Sequence, residues 1–243
     1  MQRYFLYLRY DGTAYHGWQV QPNAVTVQGV LEGALTTLLR HEVAVTGAGR
    51  TDTGVHARMM VVHFDAEPEI GCRQLVYKLN RILPHDIAAY RLKPVGDDMH
   101  ARFSATSRTY HYYIHQCKDP FYRAYSCLLT YGLDFDKMNE AASLLTEYDD
   151  FAAFCKSNSD VKTTICKVTE ARWISDGERR WHFVITADRF LRNMVRAVVG
   201  TLIDVGRGRM TIDDFKKVVE DKKRSGAGDS MPGNALFLEK IEY

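Results

Sequence analysis

The stretch GRTDTGVHA, residues 49–57, sets an arginine, an aspartate and a histidine close together between glycines. Glycine permits positive φ and close approach to the backbone, so Gly47, Gly49 and Gly54 describe a loop that a phosphate or ribose could reach. Asp52 carries the chemistry, because a carboxylate can act as base, nucleophile or stabiliser of a developing cation. The loop is not a dinucleotide fingerprint, since Asp52 stands at the third glycine position, and no G-K-[ST] follows as in a P-loop. Asp52-Thr53-Gly54 also matches the aspartic-peptidase tripeptide, which needs two aspartates sharing one proton. No second D-[ST]-G occurs, because Asp229-Ser230 is followed by Met231. A peptidase would therefore have to be a dimer, and Arg50 beside the loop disfavours the neutral carboxyl that it needs. The plain alternative is a tight turn with an Arg50–Asp52 surface pair.

The rest of the chain bounds what such a loop can serve. Its 243 residues, 46% of them hydrophobic, suffice for one large domain or two small ones. No apolar run approaches the roughly 20 residues that span a bilayer, and the N-terminus runs into a strand-like pattern without a signal-peptide core. Five cysteines without a C-x-x-C pair indicate neither a disulfide framework nor a cysteine zinc site. The expectation is a cytoplasmic protein with no membrane segment and no metal. Net charge is only +2, but the segments 81–123 and 189–224 carry net +3 and +5. Two basic segments could draw a phosphate backbone to one face, or could be solvated helix faces.

Periodicity supplies the elements that must position the loop. Tyr4–Tyr10 reads as a strand, and Val27, Leu31, Ala34, Leu35 and Leu38 give a helix over 27–40. Short apolar stretches at 43–46 and 59–66 flank the loop, a helix covers 72–83, and Ile87–Leu92 closes the set. The order is β-α-β-β-α-β, the ferredoxin-like arrangement. The second half repeats it: a strand over 108–116, a helix over 138–145 behind Asp136 as cap, and a hairpin of 163–174 and 180–187 turning at 175–178. A helix over 190–205 follows, then a capping box at Thr211 opening a helix to 222, and a strand over 236–241. The fold class expected is α+β, two ferredoxin-like halves with antiparallel sheets, 1–103 and 104–243, with a substrate cleft between them.

Longer motifs then carry a resemblance. "YDGTAYHGWQVQ" (10–21), "TVQGVLEGAL" (26–35), "GAGRTDTGVHA" (47–57), "HARFSATSRTYHYYI" (100–114), "FLRNMVRAVVGTLIDVG" (190–206) and "LFLEKIEY" (236–243) occur in that order. The chain resembles the TruA family of tRNA pseudouridine synthases almost end to end. The resemblance implies a homodimer without cofactor, acting on uridines 38, 39 and 40 of the tRNA anticodon stem-loop. It assigns the catalytic aspartate to Asp52, its partner arginine to Arg196 and the active-site tyrosine to Tyr110. Forming pseudouridine breaks the C1′–N1 bond and rejoins the base through C5. A carboxylate can stabilise or trap the cationic sugar, as glycosidase carboxylates do.

The residues fit that chemistry. Tyr110, Tyr112 and Ile114 share one strand face while His111 and Tyr113 share the other, and a ring on such a face can be core or can stack on a flipped base. Arg196 lies amid Met194, Val195, Val198 and Val199, and a charge in such company usually has a partner. Arg50 and His56 either hold RNA phosphate or shape the turn; Gln19, Gln21 and Gln28 hydrogen-bond RNA or are plain loop structure. Arg102, Arg108, Arg189 and Arg192 are phosphate contacts in this reading, and Leu236 lines the pocket wall. Two departures stand out: Thr53 where the family usually has alanine, and "SMPGNAL" (230–236) where it usually has A-P-A-x-G-L. The competing class is an RNA-binding module of the RRM kind, whose aromatic RNP1 pattern is absent.

Overall fold

The computed structural model describes residues 1–68, 70–157 and 161–243. It forms two compact units, Met1–Thr106 with Leu238–Tyr243, and Ser107–Phe237. In the first unit the chain runs β1 (Gln2–Tyr10), α1 (Val27–Leu39), β2 (Thr46–Gly47), β3 (His56–Ala66), α2 (Cys72–Ile82) and β4 (Ile87–Val95). The β-α-β-β-α-β order is realised here. β1 pairs antiparallel with β3 and with β4, and the two residues of β2 pair with β3. The run Tyr4–Leu8 is buried throughout, which explains its continuous apolar character instead of alternation. Thr26 caps α1, its hydroxyl accepting the Gly29 N–H, and Arg40 ends the helix in the left-handed region at φ 62°.

The second unit holds β5 (Ser107–His115), β6 (Cys127–Leu128), α3 (Phe135–Leu144), β7 (Val168–Gly177), β8 (Arg180–Ala187), α4 (Met194–Gly206) and α5 (Ile212–Asp221). The last strand, β9 (Leu236–Glu242), starts in this unit and ends in the first. β8 lies between β5 and β7, antiparallel to both, so Tyr110 faces Ile185 and Tyr112 faces Phe183. The expected capping box of α5 is present, with the Thr211 hydroxyl and the Asp214 carboxylate each accepting the other residue's N–H.

Several local expectations need correction. α3 begins three residues earlier, at Phe135, and its cap is Asp134, which accepts the Lys137 N–H at 3.0 Å; Asp136 lies in the first turn. β7 runs on to Gly177, and the hairpin turns at Glu178 and Arg179, both at positive φ. α4 begins at Met194, not 190, because Asn193 adopts φ 67°. Asparagine tolerates that region, and its side chain is held there by the Ser230 hydroxyl at 2.6 Å.

Candidate active site

The Asp52 loop is built by contacts with residues 10–18. Thr51 accepts the Trp18 N–H through its carbonyl at 3.2 Å, and its hydroxyl meets the Tyr10 hydroxyl at 2.8 Å in the interior. On the other side of Asp52, Gly54 donates its N–H to the Tyr15 carbonyl at 3.4 Å. Two glycines of the first segment make this possible. A Cβ on Gly12 would lie 2.0 Å from the Val55 carbonyl oxygen, and one on Gly17 would lie 2.4 Å from that of Thr51. Gly17 also sits at φ +91°. Asp52 is thus half-buried between two residues whose backbones are fixed from across the unit.

The glycines of the loop itself divide between the two expected uses, and one serves neither. Gly54 alone among Gly47, Gly49 and Gly54 has positive φ, at 75°. Gly47 is needed for space, because a Cβ there would lie 2.6 Å from the Trp18 indole nitrogen. Gly49 would tolerate a Cβ, with nothing within 4 Å. His56, at 1% exposure, is turned into the fold, where its Nδ1 accepts the Gly12 N–H at 3.0 Å. Asp11 lies equally close to Nδ1, but a nitrogen that accepts from Gly12 cannot also donate to a carboxylate. Of phosphate contact and turn shaping, this geometry is that of turn shaping.

Tyr110 and Arg196 belong to the second unit. Tyr110 is 9% exposed and its ring meets Phe190 edge-on, centroids 5.0 Å apart at 84°. Tyr112 is core, with its hydroxyl donating to the Pro232 carbonyl at 3.0 Å. Burial, more than its contact with Cys127, pushes the Tyr112 hydroxyl pKa well above the ordinary range. Arg196 and Asp204 are the two α4 residues that are not buried. The Arg196 Nε donates to the Met231 carbonyl at 2.5 Å, and the Met231 N–H donates back to the Arg196 carbonyl at 3.1 Å.

The remaining candidates divide by what they touch. Arg108 donates to the Asp188 carbonyl at 2.6 Å and so ties one end of β5 to the end of β8. Gln28 is spent on structure, accepting from the Val20 N–H and donating to Glu32 and the Val45 carbonyl. Gln21 donates to the His16 carbonyl. Gln19, Arg50, Arg102 and Arg192 are exposed, Arg189 is partly exposed and Leu236 is buried at the start of β9.

Comparison with known proteins decides the family. A profile described as tRNA pseudouridine synthase matches residues 7–104 and 141–243. The chain belongs to the tRNA pseudouridine synthase family. Over its whole length it is 56% identical to tRNA pseudouridine synthase A of Bacteroides fragilis, covering 97% of that protein. It is 52% identical to the enzyme of the same name from Porphyromonas gingivalis, covering 98% of it.

Within this family member, the two departures have visible surroundings. Thr53 is exposed, so its hydroxyl costs no burial. The 230–236 segment is laced to the second unit at three successive residues: Ser230 by Asn193 and Arg224, Met231 by Arg196, and Pro232 by Tyr112. Sequence reasoning missed Gly12, Gly17 and Trp18 as builders of the Asp52 loop. Their signal was present in "YDGTAYHGWQVQ", where two glycines and a tryptophan interrupt a polar loop.

Proposed function

We propose that this protein isomerises uridine to pseudouridine in tRNA, at positions 38, 39 and 40 of the anticodon arm. The observation that carries the reading is Asp52 on a doubly anchored loop of a family member. In the reaction the C1′–N1 bond breaks, the uracil turns, and C1′–C5 forms. The C5 proton leaves and N1 takes one up, so nothing is oxidised, reduced or hydrolysed. Asp52 stabilises or traps the cationic character at C1′. Tyr110, on a strand face, stacks on the extruded uracil, and Arg196 supplies the positive charge that the family pattern sets against the aspartate.

Arg50, Arg102, Arg189 and Arg192 engage phosphates, and Arg108, His56, Gln19 and Leu236 shape the binding surface. The active species is a cytoplasmic homodimer that uses neither cofactor nor metal. Among the described residues no helix is long and apolar enough to cross a membrane. The test is incubation of wild type and Asp52→Asn with a tRNA transcript, reading pseudouridine by carbodiimide-dependent reverse-transcription stops. Wild type should give stops at 38–40. Asp52→Asn should give none while binding the transcript normally, and turnover by Asp52→Asn would remove Asp52 from its role.

A further inference from the structure

Phe103 is a large apolar side chain that the first unit leaves in solvent, at 76% exposure, on a turn held by several hydrogen bonds. The turn closes on His100: the His100 carbonyl accepts the Ser104 N–H at 2.9 Å, and the Ser104 hydroxyl accepts the His100 N–H at 2.9 Å. Inside the turn, the His100 Nδ1 accepts the N–H groups of Arg102 and Phe103 at 3.1 and 3.2 Å. The turn is then fixed from below. His63 of β3 accepts the Ala101 N–H at 3.1 Å, and the Tyr243 hydroxyl donates to the Ala101 carbonyl at 2.8 Å.

The rings form a ladder on this frame. His63 meets His100 edge-on with centroids 4.5 Å apart, and His100 meets Phe103 at 4.3 Å and 33°. The Arg102 guanidinium carbon lies 5.6 Å from the Phe103 centroid. A ring on a fixed backbone that already lies against His100 has less freedom to lose when something stacks on it, and a pre-ordered anchor binds at lower entropic cost.

We propose that Phe103 is a stacking platform for an unpaired base of the tRNA substrate, other than the uridine that reacts. This rests on the functional reading above and adds a contact to it. One aromatic face with an adjacent cation is what a base and its phosphate need, and stacking accepts any base. A protein partner would need a contiguous apolar patch, whereas Phe103 has exposed Arg102 beside it and partly exposed Met99, His100 and Ser104 around it. A ring so open to water also cannot shield a reacting nucleotide, which separates this role from that of Tyr110.

The test compares wild type with Phe103→Tyr, Phe103→Leu and Phe103→Ala. Binding is read by anisotropy of a fluorescein-labelled tRNA transcript at fixed salt, with pseudouridine formation and light scattering alongside. Phe103→Leu and Phe103→Ala should bind roughly 5- to 100-fold more weakly, with the loss appearing in KM more than in kcat, while Phe103→Tyr stays near wild type. Native binding by Phe103→Leu would replace stacking with plain apolar contact and overturn the proposal. So would a change of molecular mass in Phe103→Ala, which would give the ring to a second copy of the chain. If wild type binds tRNA but forms no pseudouridine, the functional reading fails, and the contrast between Tyr and Leu in binding still decides the platform.

Discussion

Arg196 and Met231 hold each other by two hydrogen bonds in opposite directions, one from the guanidinium and one to the backbone. The arginine proposed to serve Asp52 therefore also fastens the segment 230–232 to α4. That approach is close enough that a Cβ on Gly200 would lie 1.8 Å from the Asp229 carbonyl oxygen. The Gly228 N–H meets the Thr201 hydroxyl on the same helix at 2.9 Å.

Arg196→Met should silence the enzyme and also cost stability, because the Met231 carbonyl loses a charged donor, a bond worth about 1–3 kcal/mol. Arg196→Lys keeps the charge without the same Nε geometry and should fall between the two in stability. Urea denaturation and single-turnover assays separate the effects. An unchanged unfolding midpoint in Arg196→Met would deprive the Met231 bond of any structural weight.

Gly17→Ala should disturb Asp52 from a distance. The new methyl meets the Thr51 carbonyl at 2.4 Å from a backbone at φ +91°, so the loop must shift or the strain must be carried, at a cost of roughly 1–3 kcal/mol. Gly49→Ala, with open space around it, should be nearly neutral in stability. Melting temperatures and turnover of the two variants make the comparison, and equal behaviour would mean that the 10–18 segment does not set the loop.

Stability should fall on mild acidification. Burial first, then the charges of His100 and Arg3, lower the His63 pKa from 6.5 to about 4, opposed by Asp65. The unfolded chain binds a proton between those values that the folded chain refuses. The His63 contribution is therefore complete above pH 6.5 and is lost as pH falls toward 4. His100 and His115, also lowered by burial, act in the same direction. His63→Asn should flatten part of the melting-temperature profile across this window; a profile as steep as wild type would assign the slope to other groups.

Salt dependence should reveal which cations meet phosphate. The logarithm of affinity falls against that of salt by about 0.7 to 0.9 per phosphate contact. Arg192→Ala should lower this slope by about one without changing which uridine is modified. A slope equal to that of wild type would make Arg192 merely solvated surface.

The elements were legible because their signals are local. Apolar spacing gave α1 and α2 nearly to the residue, the Thr211 capping box gave α5, and alternation along β5 placed Tyr110, Tyr112 and Ile114 on one face, which the structure buries. Boundaries failed where a distant group intervened. α4 looks helical from 190, yet Asn193 takes a left-handed conformation with its side chain on Ser230, and no local rule anticipates a hydroxyl 37 residues away.

The sequence by itself determined the kind of loop around Asp52, the order of strands and helices, and the motifs that mark the family. Only the tertiary structure decided what holds that loop. Gly12 and Gly17 are glycines because the Val55 and Thr51 carbonyls pass within 2.0 and 2.4 Å of where their Cβ atoms would be. It also decided that His56 faces inward to Gly12, and that residues 238–243 fold with the first unit. Propensity and period act over a few neighbouring residues, whereas excluded volume and a buried donor's need for an acceptor act between any segments that the fold brings together.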